Sequence, residues 1–333
     1  MFGGSMGSGR RKWAVLLTWV AVAGIAASAK AVPARGGWKP SRPVEYIVPW
    51  GAGGGADALA RFTATRLEKH FGVPFPVLNV PGGTGSVGIA RLLSAPADGH
   101  AVAVYIGDTH ALLATGAASW TLADLVPLVR LQKMPSFLFV RREAKWKDFE
   151  ELERDVKANP GRYKTAILGK GSIDEVTLSF MAARGFQTVL VPYASPSERY
   201  ASLLGGHTDI LYEQAGDVLR FLRAGEMRPV LVFNERRVKE FPQVPSAGER
   251  GYPVYLPQFR TIVTKAGVSK EIVRAYERAF LELARDPEFR RFNAEENLAT
   301  EDSILGSEAT RAFLERELSR MRYLMEQLGL RRR

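Results

Sequence analysis

Four glycines in the five positions Gly51 to Gly55 lie between a β-branched run, Val44 to Val48, and a helical pattern whose first turn carries Asp57. A strand, a glycine turn and a helix N-terminus make an anion cradle, because backbone N–H groups approach a ligand with no Cβ in the way and the helix dipole favours negative charge. The chemistry on offer is capture of an anion by backbone amides. Three more loops repeat the arrangement. After Val77–Val80, the stretch Gly83-Thr-Gly-Ser-Val-Gly88 reads G-x-G-x-x-G, and Asp108, at the end of the next strand, stands where a dinucleotide-binding unit places its ribose carboxylate. Against a dinucleotide, the motif is on the second βα turn rather than the first, and Pro81 breaks the turn. Leu168-Gly-Lys-Gly-Ser172 and Val191-Pro-Tyr-Ala-Ser195 are the third and fourth loops, the last with a helix cap expected at Ser195 or Ser197. Each alone is an ordinary helix start. Together, all at the carboxyl ends of expected parallel strands and two in each half, they imply a cleft between the halves.

Catalytic equipment is missing from the same sequence. His70, His100, His110 and His207 are scattered without metal-ligand spacing, and no thiol is available. There is no G-x-S-x-G elbow and no Walker lysine. Ser86 and Ser172 have no base partner and read as caps; Asp174 and Glu175 are adjacent, so a helix points them about 100° apart and makes them dipole-matching first-turn acids rather than an acid/base pair. A binding protein without cofactor or metal is the expectation, not an enzyme.

The elements that must position these loops alternate. Strands are expected near Val44–Val48, Val77–Val80 and Ala101–Ile106, with helices near Ala56–His70 and Ser86–Leu93 between them. A second series has strands near Lys164–Leu168, Thr188–Val191, Thr208–Tyr212 and Pro229–Phe233, and helices near Ile173–Arg184, Ser197–Leu204 and Asp217–Arg223. Such alternation predicts parallel βαβ units and two doubly wound α/β domains. Extended segments at Val126–Arg141, broken by Pro127 and Pro135, and at Tyr252–Thr264 suggest a two-stranded hinge joining them. The predicted domains are residues 41–133 with 258–333, and residues 134–257. Two C-terminal helices, Lys270–Leu283 and Ser303–Leu328, close the chain, the second with a packing stripe of Leu314, Leu318, Met321, Met325 and Leu328.

Residues 1–31 read as a secretory signal peptide: Arg10, Arg11 and Lys12 precede an uncharged run from Trp13 to Ala29, shorter than the ~20 residues of a membrane span, and Ala29-Lys30-Ala31 offers a cleavage site. With no cysteine the mature chain is expected to be neither a lipoprotein nor disulfide-bonded, but a soluble exported protein that meets little nicotinamide cofactor. Without residues 1–31 the formal net charge falls from +11 to about +7. Lys and Arg alternate with Asp and Glu, as in Glu150-Glu-Leu-Glu-Arg-Asp-Val-Lys157, which reads as a solvated surface and not as a nucleic-acid face. Arg331 to Arg333 read as a frayed basic tail.

An ordered set of motifs carries a family resemblance. PWGAGGGADALAR at Pro49 to Arg61, NVPGGTGSVGIARL at Asn79 to Leu92, PADGH at Pro96 to His100, GKGSID at Gly169 to Asp174, VPYASPSE at Val191 to Glu198 and LLGGHTDI at Leu203 to Ile210 resemble the solute receptors of tripartite tricarboxylate transporters, the Bug family. The likeness continues through Gly225–Arg237 and Val244–Tyr252. It implies a periplasmic, monomeric Venus-flytrap receptor of the type II periplasmic-binding-protein architecture. Such a receptor captures a small carboxylate and delivers it to a membrane permease of one large and one small subunit.

Together the loops and the resemblance place the ligand carboxylate on Trp50, Gly51, Ala52, Gly53 and Gly54 of the first loop and Gly83, Thr84, Gly85 and Ser86 of the second. Lys170, Gly171, Ser172, Tyr193, Ala194, Ser195 and Tyr212 face it from the second domain, with Asp108 and Thr109 on the floor. Two departures bear on the distal half of the pocket. Ile173-Asp174-Glu175 stands where many members have a histidine, and Gln258-Phe-Arg-Thr261 replaces a tryptophan-glycine on the late crossing strand. Two acids there disfavour further ligand carboxylates unless Arg260 or Lys170 compensates, so dicarboxylate, aromatic acid and amino acid all stay open. The alternatives are a sensor for a membrane signalling partner and an exported NAD-dependent oxidoreductase.

Overall fold

A computed structural model describes residue 1 and residues 37–329; the expected signal peptide and the basic tail lie outside the described residues. Chain order is β1 (Glu45–Val48), α1 (Gly55–Phe71), β2 (Val77–Asn79), α2 (Ser86–Ser94), β3 (Ala101–Ile106), α3 (Gly107–Thr115), β4 (Leu125–Met134) and β5 (Phe137–Arg141). There follow α4 (Phe149–Ala158), β6 (Lys164–Ile167), α5 (Ile173–Ala182), β7 (Val189–Pro192), α6 (Pro196–Leu204), β8 (Ile210–Glu213), α7 (Leu219–Arg223) and β9 (Met227–Val232). Last come β10 (Gln258–Lys265), α8 (Lys270–Leu283), α9 (Pro287–Arg291), β11 (Leu305–Gly306) and α10 (Ser307–Gln327).

The strands form two sheets, β11-β4-β10-β3-β1-β2 and β7-β6-β8-β5-β9, which define a first and a second lobe. The chain passes from one to the other between β4 and β5 and returns between β9 and β10, the two crossings expected of a hinge. Within the first sheet β1 is parallel to β2 on one side and β3 on the other; within the second, β6 is parallel to β7 and β8. These are the topological switch points, where ligands of open α/β sheets bind. The wholly parallel reading needs correction at the strands that return between the others. Strand β9 runs in the direction of β6, β7 and β8, as expected, but β5 is inserted beside it antiparallel to both β8 and β9, and β10 is antiparallel to β3 and β4.

Local sequence explains the elements. Strand β3, Ala-Val-Ala-Val-Tyr-Ile, is buried at every position, as a central parallel strand covered on both faces must be. Helix α8 buries Ile272, Ala275, Tyr276, Ala279, Phe280 and Leu283 at helical spacing and starts from a Ser269 side-chain cap on the Ile272 N–H. The C-terminal stripe Leu314, Leu318, Met321 and Met325 is buried and packs α10 on α3 and β4. That helix begins later than expected, at Ser307, because Leu305–Gly306 first pairs with β4.

Candidate functional site

All four loops, three of them glycine-rich, lie at strand carboxyl ends, and the structure brings them together in opposed pairs. The first meets the fourth: a Cβ on Gly51 would lie 3.4 Å from the Ser195 Cα, and one on Gly54 would lie 2.7 Å from Pro196. The second meets the third, with the Thr84 hydroxyl donating to the Lys170 carbonyl at 2.7 Å. Between them remains a cavity of only ≈ 20 Å³, lined by Trp50, Gly55, Arg199, Asp217 and Arg260 among others. That is room for about one water molecule and far too little for an organic acid, so the cleft is shut. Larger cavities of ≈ 460 and ≈ 550 Å³ lie at the hinge around Met134 and Pro135, and no glycine-loop residue lines either.

On the first lobe the loops are backbone. Asp57 clamps the first loop, accepting from the Gly53 N–H at 3.2 Å, from Asn79 at 3.0 Å and from Arg61. Burial resists its ionisation, but these bonds outweigh burial and hold its pKa below the usual carboxylate range. The second loop runs through positive φ at Gly82, Gly83, Thr84 and Gly85, with Thr84 at φ 54° the one non-glycine. Such backbone strain in a β-branched residue collects at functional sites. Gly85 packs so closely on Thr109 that a Cβ would come 2.3 Å from its hydroxyl oxygen.

On the second lobe the loops are caps and charges. Ser172 caps α5 by accepting from the Glu175 N–H at 3.3 Å, as expected. Ser195 occupies the N-cap of α6 but makes no side-chain cap bond, a correction to the expected role. Tyr193 donates to or accepts from Ser202 at 2.6 Å, and Ala194 is exposed. Lys170 offers its carbonyl, not its ammonium, to the other lobe. Tyr212 is wholly buried, stacked on Phe233, and does not line the closed cavity.

Asp108 is not free to bind a ribose. It is fully buried in the first turn of α3, accepting from the Ile173 N–H of the second lobe at 3.1 Å and from Gln258 Nε2 at 2.5 Å. Burial pushes its pKa up. Asp174 is raised further, first by burial and then by the Asp108 charge. One residue unseen in the sequence organises this wall: Arg199, 2 % exposed, which pairs with Asp174 at 3.5 Å and with Glu213. Glu213 also accepts from the Tyr200 hydroxyl at 2.8 Å, and its pKa is pushed up to about 7 by burial against the pull of Arg199. Arg260, flagged as a departure, sits at a register shift of β10 and pairs with Asp217 of the other lobe. No group of three or more His, Cys, Asp or Glu able to hold a metal, and no helix long and apolar enough to cross a membrane, occurs among the described residues.

Comparison with known proteins comes to the same architecture. Residues 59–330 match the model of the tripartite tricarboxylate transporter family receptor. The chain is 29% identical over 331 residues to Protein BugT of Bordetella pertussis (strain Tohama I), covering 96% of this chain and 98% of that one. A TctC solute binding protein from Polaromonas, solved without ligand, is 27% identical with a TM-score of 0.62, over 86% of this chain and 99% of its own. MatC from Rhodopseudomonas palustris, solved with bound malate, shares the fold at 23% identity and a TM-score of 0.77, over 86% and 99%.

Proposed function

Since the chain belongs to the tripartite tricarboxylate transporter receptor family, whose members are receptors and not enzymes, we propose that it captures a small organic carboxylate between its lobes and delivers it to a two-component membrane permease. In this reading the lobes are residues 41–133 with 258–333 and residues 134–257, and the protein works as an exported periplasmic monomer. The observation that carries it is the pairing of four strand-end loops across one cleft, first with fourth and second with third. Backbone amides of Trp50–Gly54 and Gly83–Ser86 would take the carboxylate, while the second lobe discriminates what is attached to it. Malate in MatC is in keeping with this. Opening about the hinge admits the acid and closure excludes water, which strengthens the hydrogen bonds.

Thermal unfolding of residues 32–333, refolded to remove co-purified ligand, against mono-, di- and tricarboxylates, acidic amino acids and NAD tests the proposal. A bound acid at a hundred times its dissociation constant stabilises by about 2.7 kcal/mol, a shift of a few degrees. Stabilisation by NAD alone, or by no acid, overturns it.

A further inference from the structure

One ion pair joins the lobes across the cavity. Arg260, 2 % exposed on β10, donates from Nη2 to both oxygens of Asp217 at 2.7 and 2.5 Å, and Asp217 belongs to the loop after β8 on the other lobe. The same carboxylate accepts from the Gly55 N–H at 3.2 Å, in the first turn of the 17-residue α1. The guanidinium is fixed from behind, Nη1 donating to Gln132 at 2.6 Å. A Cβ on Gly55 would fall 2.1 Å from Arg260 Nη2 and 2.2 Å from Asp217 Oδ1, so only glycine fits. A guanidinium and a helix N-terminal amide form a cradle for one carboxylate. A carboxylate from the protein's own other lobe occupies it.

Two more donors reach the same space without partners. Trp50 and Arg199 both line the cavity at 3 % and 2 % exposure, and neither Trp50 Nε1 nor Arg199 Nε has an acceptor among the described residues. The cleft is therefore set for oxygen acceptors beyond those its own side chains supply. A second carboxylate cannot simply add to the pair, because Asp217 already neutralises Arg260 and like charges would face one another in a ≈ 20 Å³ space. It has to displace Asp217. Parting the lobes does this, since Arg260 and Gly55 stay on one while Asp217 leaves with the other.

We propose that Asp217 is a built-in stand-in for the ligand's carboxylate: it latches the empty lobes shut on Arg260 and Gly55, and a small organic acid binds by taking its place, which makes Arg260 the residue that selects a carboxylate. The inference rests on the receptor reading above. It adds that the liganded cleft is wider than the latched one and that affinity is set by competition with Asp217.

The chain has no cysteine, so Val87→Cys and Val189→Cys, at 50% and 45% exposed positions on opposite lobes, give two unique spin-label sites. Distances between them are measured in the full mature chain with Asp217 intact and as Asp217→Ala, each with acetate or acetamide. The expected result is a short distance in the parent, a longer one in Asp217→Ala, and return toward the short one with acetate but not acetamide. In parallel, the best acid from the unfolding panel binds Asp217→Ala about tenfold more tightly than the parent, since a competing state has been removed. An unchanged distance in Asp217→Ala, or equal effects of acetate and acetamide, overturns the proposal. Reclosure by acetate with no acid binding the parent leaves the latch standing and removes the receptor reading. Acid binding unchanged by Asp217→Ala keeps the receptor and removes the latch.

Discussion

The first lobe faces the cleft mainly with backbone, glycine loops at Gly51–Gly54 and Gly83–Gly85 and the Gly55 amide, with an Asp57 that serves its own loop and a single guanidinium, Arg260, among them. The second faces it with buried charge: Arg199, Asp174, Glu213 and Asp217. A wall of amides recognises a carboxylate whatever it is attached to, whereas a wall of buried ions is fixed in geometry and costly to alter. In a receptor so divided, the first wall is the general half and the second the particular half. Substitutions on the two sides should therefore fail in different ways.

Arg199→Ala breaks the charged wall most directly. It leaves Glu213 and Asp174 buried without their cation, and removing one partner of a buried pair costs about 3–5 kcal/mol. Denaturant unfolding should show that loss even without ligand. A fall below about 1 kcal/mol would mean that the acids are protonated and need no cation.

The fully buried acids and the Asp57 of the first loop give opposite pH responses. Glu213, raised to about 7, binds a proton more tightly folded than unfolded, so its stabilising contribution is full below the unfolded value near 4.5 and is lost as pH rises through about 7. That one group accounts for up to about 3 kcal/mol, and Asp174 beside it, together with Asp108 reaching across from the first lobe, acts in the same direction. Asp57 on the first lobe is lowered, so its contribution is lost as pH falls below its ordinary range. Stability should peak in mild acid and decline toward pH 8. Glu213→Gln should flatten the alkaline decline and leave the acid limb unchanged; a decline equally steep in that variant would assign it elsewhere.

The same division governs how much the sequence discloses. Glycine loops are legible because glycine alone takes positive φ and close approach without strain, and strand β3 and helix α8 because their apolar periods are unbroken. Arg199 is not legible. In Pro-Ser-Glu-Arg-Tyr it looks like one more solvated charge on α6, and its burial is made by Asp174 and Glu213, 25 and 14 positions away on other elements. The reversal of β5 and β10 is not legible for a related reason: an apolar run states that a strand exists, while its direction is fixed by distant neighbours, β8 and β9 for the one and β3 and β4 for the other. Gln258 and Arg260 stood out only as departures from a family pattern. Nothing in the local sequence says that one meets Asp108 and the other Asp217.

The backbone wall breaks by crowding. Gly85→Ala puts a Cβ 2.3 Å from the Thr109 hydroxyl oxygen at φ +92°, and overpacking of this kind costs about 1–3 kcal/mol. Its ligand affinity should fall with every acid alike, where second-lobe variants change the ranking among acids; a changed ranking in Gly85→Ala would blur the division.

Thr84 gives the smallest and most discriminating effect, since it carries both a bond and a strain. Its hydroxyl donates across the cleft to the Lys170 carbonyl at 2.7 Å, while its backbone sits at φ 54°. Thr84→Ala loses the bond and keeps the strained φ, so it should destabilise by about 1 kcal/mol. Thr84→Gly loses the same bond but relieves the strain, a gain of about the same size, so its unfolding midpoint should lie close to the parent's. In both variants the labelled lobes should open slightly, because the bond crosses the cleft and the strain does not. Equal loss of stability in both would mean that the left-handed backbone costs nothing there, and that the loop's shape is held by Gly82, Gly83 and Gly85 alone.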